Sequence, residues 1–196
     1  MKNLLGISIL VALMAFMVWP VSAPMSQEEE IEFVGSSRCK MCHNKEESGK
    51  FFDNWEQSKH GQAFDTLSEE EQKNEDCQSC HTTGYGQPGG FVSLEETDDM
   101  VHVQCESCHG PGGEHIKSAM RNRDDPDAIT KTPWEPTEEL CVKCHNEESP
   151  TWDPERFEDE DGNKAGFIYD VAFKMVNHAE VYEALGEEPP APLESE

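Results

Sequence analysis

Positive charge is what this chain has least of for its size. Its 196 residues carry 15 Lys and Arg against 41 Asp and Glu, a formal net charge of −26 at pH 7. A surface of that sign repels phosphate backbones, which disfavours nucleic acid as a partner. Apolar residues make up only 35 % of the chain, low for a domain that must close a core of leucines and isoleucines. Beyond residue 23 no apolar run approaches the ~20 residues that a membrane helix needs. Glycines cluster from Gly84 to Gly90, but no Gly-Lys-Ser/Thr and no strand-to-helix pattern accompanies them. A phosphate-binding loop is therefore excluded.

Cysteine and histidine are present in a strict pattern. All eight cysteines fall into four pentads: Cys39-Lys-Met-Cys42-His43, Cys77-Gln-Ser-Cys80-His81, Cys105-Glu-Ser-Cys108-His109 and Cys141-Val-Lys-Cys144-His145. On one helical turn, positions i, i+3 and i+4 share a face. Two thiols can then form thioethers to the vinyl groups of one haem while the histidine binds its iron, so each pentad reads as a haem c attachment site. Zinc knuckles also use Cys-x-x-Cys pairs, and disulfides suit an exported chain. Neither needs a histidine after every second cysteine, and here all four pairs have one.

Four further histidines, His60, His102, His115 and His178, equal the number of pentads. They are candidate distal ligands that would give each iron two histidines. Met41, Met100, Met120 and Met175 are rival sixth ligands that would raise the reduction potential, but methionines of this kind are expected to pack.

The first 23 residues read as an export signal. Lys2 precedes an apolar stretch from Leu4 to Trp19, and Val21-Ser22-Ala23 resembles a small-residue cleavage site. Pro24 sits awkwardly after that site, so an uncleaved anchor stays open as the alternative, and with it membrane attachment. Export agrees with haem c attachment outside the cytoplasmic membrane and predicts a periplasmic or extracellular protein.

About 170 residues remain for four haems, roughly 43 each, too few for a separate polypeptide core. The haems must supply the core. The expectation is one mainly α tetrahaem domain over residues 24–185 with little β structure, followed by an acidic disordered tail at 186–196. Acidic runs such as Glu28-Glu29-Glu30, Glu69-Glu70-Glu71 and Glu158 to Asp161 keep an exported protein soluble and would steer redox partners with basic contact surfaces.

Periodicity predicts a helix from Glu46 to Phe64, with Phe52, Glu56 and His60 on one stripe. A second is predicted from Gly166 to Leu185, with Ile168, Val171, Ala172, Met175, His178, Ala179 and Tyr182 on one face. The segment Gly84 to Phe91 predicts turns that let backbone pass close to a haem, and Val92 to Val103 a short extended stretch. Trp152 to Lys164 reads as a charged surface loop.

These motifs resemble the tetrahaem c-type cytochromes of the cytochrome c-554 family, which includes a nitrifier carrier that accepts electrons from hydroxylamine oxidoreductase. The matching residues are Phe33-Val34-Gly35-Ser36, Trp55 to Ala63 with His60, the block from Cys105 to His115 with its Gly-Pro-Gly-Gly turn, and the fourth pentad followed by His178. The resemblance implies a mainly helical fold with closely stacked and perpendicular haem pairs. In the nitrifier member the second haem lacks a distal protein ligand. This chain has one histidine more than that arrangement requires, and the expected pairing is His43 with His115, His81 with His102, His109 with His60, and His145 with His178. The likeness extends to tetrahaem subunits that polymerise into extracellular filaments.

Three functions follow. The leading one is an electron carrier with mostly bis-histidine haems and no catalytic residue. The second is a reductase of small nitrogen oxides at an open iron above His81, in a pocket lined by Tyr85. The third is a self-assembling filament subunit, which the strong negative charge opposes.

Overall fold

The structure is a computed structural model that describes residues 32–46, 49–176 and 178. The export signal and the acidic tail expected from the sequence lie outside the described residues. Short helices dominate. In chain order they are α1 (Ser36–His43), α2 (Phe51–Glu56), α3 (Glu75–His81), α4 (Cys105–His109), α5 (Gly113–Arg121), α6 (Glu138–Cys141) and α7 (Tyr169–Lys174), joined by turns and single 3-10 turns. Two strands of two residues, β1 (Phe157–Glu158) and β2 (Lys164–Ala165), pair antiparallel with Phe157 opposite Ala165. The mainly α architecture with little β structure is thus what the chain adopts.

The polypeptide builds little core of its own. Phe33, Phe91 and Met100 form the buried cluster, with Tyr85 and Val101 against it. Phe52, Phe64, Tyr169 and Phe173 are buried elsewhere. Several of the most buried groups are polar: Thr83 is 0 % exposed, Glu106 2 % and Gln104 3 %. Such groups are costly unless hydrogen-bonded, and all are bonded: among the described residues no buried side-chain polar atom lacks a partner.

Both long helices expected from periodicity are cut short. The first begins only after Gly49 and Lys50, which have positive φ values of 75° and 51°, and it ends at Glu56. Ser58 ends it: its hydroxyl donates to the Trp55 carbonyl at 2.7 Å and accepts the Gly61 N–H at 3.1 Å. The chain then turns so tightly that a methyl on Gly61 would collide with the Trp55 carbonyl oxygen. His60 therefore sits in a turn. The last helix, α7, stops at Lys174, Met175 is 70 % exposed, and His178 has φ 61°. His178 is thus off the expected helical stripe, and residues 179–185 lie outside the described part.

The glycine-rich turn serves a different neighbour from the one expected. Gly84 has φ +66°, and a methyl there would meet the Phe33 ring at 2.8 Å and Gly90 Cα at 2.9 Å. The close approach is to the core and to another stretch of backbone. The following segment is not a strand: it has a 3-10 turn at Asp98–Met100 and one isolated bridge, Thr82 to Val101. The charged region after Trp152 contains the β1–β2 hairpin, whose turn Asp159 closes by accepting from the Asn163 N–H and side-chain amide, both at 2.8 Å.

Candidate haem centres

Each pentad lies on a helix or at its end. The first occupies the last two turns of α1, the second the end of α3, and the third is the whole of α4. In the fourth, Cys141 closes α6 and the turn continues, with the Cys144 and His145 N–H groups both donating to the Cys141 carbonyl. Two thiols and an imidazole thus share a face in each case. All eight cysteines are described, and among the described residues no three His, Cys, Asp or Glu side chains gather where they could hold a metal ion.

The thiols also show which motifs are neighbours. Cys39 and Cys105 hydrogen-bond to each other, which pushes the Cys39 thiol up and holds Cys105 below the usual thiol range. Cys80 and Cys144 do the same: the bond from Cys144 lowers Cys80 to about 6, and Cys144 is pushed up. Burial, and then the charge of Cys141, raises Cys108 to about 11. The first motif therefore abuts the third, the third the fourth, and the fourth the second.

Two of the candidate distal histidines face a proximal one. The rings of His43 and His115 are 6.1 Å apart and inclined at 28°, and those of His60 and His145 are 5.9 Å apart. A metal bound to one nitrogen of each ring, with bonds of about 2 Å, would place the ring centres roughly 6 Å apart. The gaps therefore fit one iron each. A cavity of about 460 Å³ lined by His145, Val142, Trp152 and Phe167 lies beside the second pair. Backbone carbonyls fix the ring tautomers. His115 Nδ1–H donates to Thr130 O at 2.8 Å and His81 Nδ1–H to Ala63 O at 2.6 Å, which leaves Nε2 bare for a metal.

The structure departs from three of the four expected pairs. His60 faces His145, not His109, because the chain leaves the helix at Glu56 and the His60 carbonyl accepts the Val103 N–H. With His145 facing His60, the His178 ring packs 4.8 Å from that of Phe51, and burial first, then the charges of His109 and His43, lower its proton affinity. His102 does not face His81. The Phe64 N–H donates to His102 Nδ1 at 3.2 Å, while His81 bonds the Ala63 carbonyl, the other end of the same peptide unit. A trans peptide points its C=O and N–H in opposite directions, so this unit stands where a haem between the two rings would lie. A neutral His102 whose Nδ1 accepts a bond carries its proton on Nε2 and offers no lone pair there.

The other sulfur candidates are accounted for. Met100 is buried against Gly35 in the polypeptide core, and Met41, Met120 and Met175 are exposed. Tyr85 stacks on Phe91 in that core at 6.5 Å. Burial lowers the proton affinity of His43, His60, His109, His145 and His178, and so favours the neutral form that binds iron. Sequence patterns did not point to Glu106, Gln104, Thr83 or the carbonyls of Ala63 and Thr130, since nothing in local spacing shows where a loop will bring a backbone group.

Comparison with known proteins points to the same kind of protein as the attachment motifs. A family model described as cytochrome c554 and c-prime matches residues 38–110. Cytochrome c-554 of Nitrosomonas europaea is 28 % identical over 173 residues, covering 74 % of this chain and 72 % of its own length. A solved structure of the reduced state of cytochrome c554 from the same organism aligns at 26 % identity over 74 % of this chain and 78 % of the other, with a TM-score of 0.45. The family match over residues 38–110 and the curated relative agree with the four attachment motifs described above in likening this chain to the tetrahaem cytochromes of the cytochrome c-554 family.

Proposed function

We propose that this protein is an exported, periplasmic or extracellular electron carrier in which four covalent haems pass electrons between redox partners. The observation that carries the reading is the pair of histidine–histidine gaps of about 6 Å, each joining a Cys-x-x-Cys-His histidine to one from a distant segment. Bound haem supplies the one-electron chemistry. The chain supplies thiols for attachment, imidazoles held by carbonyls, and the adjacency of its motifs, which gives the sequence second, fourth, third, first or its reverse. Histidine in place of methionine keeps the potentials low. The acidic surface favours partners with basic contact patches, and association with such a partner is expected to slow as salt rises. Among the described residues no helix is long and apolar enough to cross a membrane.

A second reading has its own observation. With His102 bonded to Phe64, His81 has no histidine opposite it, so an iron bound there keeps one face open to a small ligand such as a nitrogen oxide. The experiment that separates the readings is EPR of the ferric holoprotein. Three low-spin centres and one high-spin centre are expected. Four low-spin centres would mean that His102 leaves Phe64 to bind iron, and would remove the basis for a reductase. The variant His102→Gly sharpens the test: it should keep the native EPR spectrum, and loss of a low-spin signal would make His102 a ligand.

A further inference from the structure

Glu106 occupies the first variable position of the third motif, and its carboxylate is paired wholly to backbone. The Val34 N–H lies 3.1 Å from both of its oxygens, the Gly35 N–H donates to Oε2 at 2.8 Å, and the Gly112 N–H donates to Oε1 at 2.6 Å. These donors sit at two entrances. Val34 and Gly35 lead into α1, whose N-terminus has no side-chain cap of its own. Gly112 leads into α5, which carries His115. Gln104, just before α4, extends the clamp: its Oε1 accepts the Ser36 N–H at 2.6 Å, and its Nε2 donates to Asp99 O and Val101 O. One buried anion in the third motif therefore holds the two elements that bring His43 and His115 to 6.1 Å. Gly112 is fitted to it, because a methyl there would come within 3.2 Å of Oε1.

We propose that Glu106 is a positioning residue that sets the first haem against the third and holds the potentials of both down. The inference rests on the four-haem reading above. Bonds from N–H groups to a carboxylate are about twice as strong as neutral ones, so the clamp fixes α1, α4 and the start of α5 as one unit. A buried negative charge beside two irons favours their ferric state.

The test is Glu106→Gln in the full holoprotein, with four haems verified by mass. Glutamine keeps the size, removes the charge, and turns an NH2 group toward one of the N–H donors, so one arm of the clamp is lost. Potentiometric titration followed by EPR should show two of the four haems becoming easier to reduce, by on the order of tenfold in equilibrium constant for the loss of a buried charge. Their low-spin g values should move, while the other two haems keep both properties. Four unchanged haems, or four that shift together, would overturn the proposal. Should Glu106→Gln fail to accumulate with four haems, Gly112→Ala presses on the same oxygen from another residue. It should move the g values of two haems, and an unchanged spectrum would overturn the proposal equally. The haem count and spin states of the native protein test the four-haem reading separately, so an unaltered Glu106→Gln protein with four haems refutes the clamp alone.

Discussion

His60 decides a ligation question that a single side chain can test. Its ring lies 5.9 Å from His145, so His60→Ala should convert the haem of the fourth motif to high spin and leave that of the third motif low-spin. EPR combined with a second variant in His178 checks this, since the two losses should fall on different haems and add. A spectrum in which both variants remove the same signal would show that His60 and His178 do not serve separate irons. The count of eight histidines and the residues after each Cys-x-x-Cys pair were legible in the sequence. The partner of each distal histidine was not, because a ring's direction depends on which peptide groups bond its other nitrogen. Ala63 and Phe64 illustrate this: the two ends of their shared peptide hold His81 and His102 apart.

The elements are short because local polar bonds and positive-φ positions interrupt the apolar periodicity. Ser58 takes the Trp55 carbonyl out of the helix ladder, so a stripe that continues on paper to His60 ends one turn earlier in space. The Gly84 turn shows the reverse case: composition specifies a turn there, but not that Phe33 and Gly90 are what it packs against. Gly84→Ala puts a methyl in the left-handed region and against Phe33. It should destabilise the protein by about 2–5 kcal/mol, combining about 1–2 for the backbone with 1–3 for overpacking. Denaturant unfolding of the holoprotein checks the value, and a loss below about 0.5 kcal/mol would mean that the turn relaxes freely.

Across the whole molecule, the small cluster of Phe33, Phe91 and Met100 cannot by itself offset the entropy of ordering so long a chain. Chain produced without haem attachment should show far-UV circular dichroism near that of an unfolded protein, and a cooperative melt of the haem-free chain would contradict a haem-built core. Acid stability follows from the buried histidines. Their folded-state proton affinities lie below the ordinary value of 6.5, so the unfolded chain binds more protons as pH falls through that value. Stability is therefore full above about pH 6.5 and declines below it. Optical titration should show the low-spin spectrum lost on the acid side and unchanged between about pH 7 and 9. A loss on the alkaline side instead would point to other ligands.

By itself the sequence determined the cofactor and its number, because thioether attachment and iron ligation need fixed residue types at fixed spacing within one helical turn. It also determined that polypeptide alone would not fill the interior, since apolar residues are too few. Tertiary structure decided which histidines meet, which motifs abut, and where a buried carboxylate such as Glu106 finds its partners. Those outcomes depend on backbone N–H and C=O groups from segments some seventy residues apart, like Val34 and Glu106, and main-chain groups leave no mark in the order of side chains.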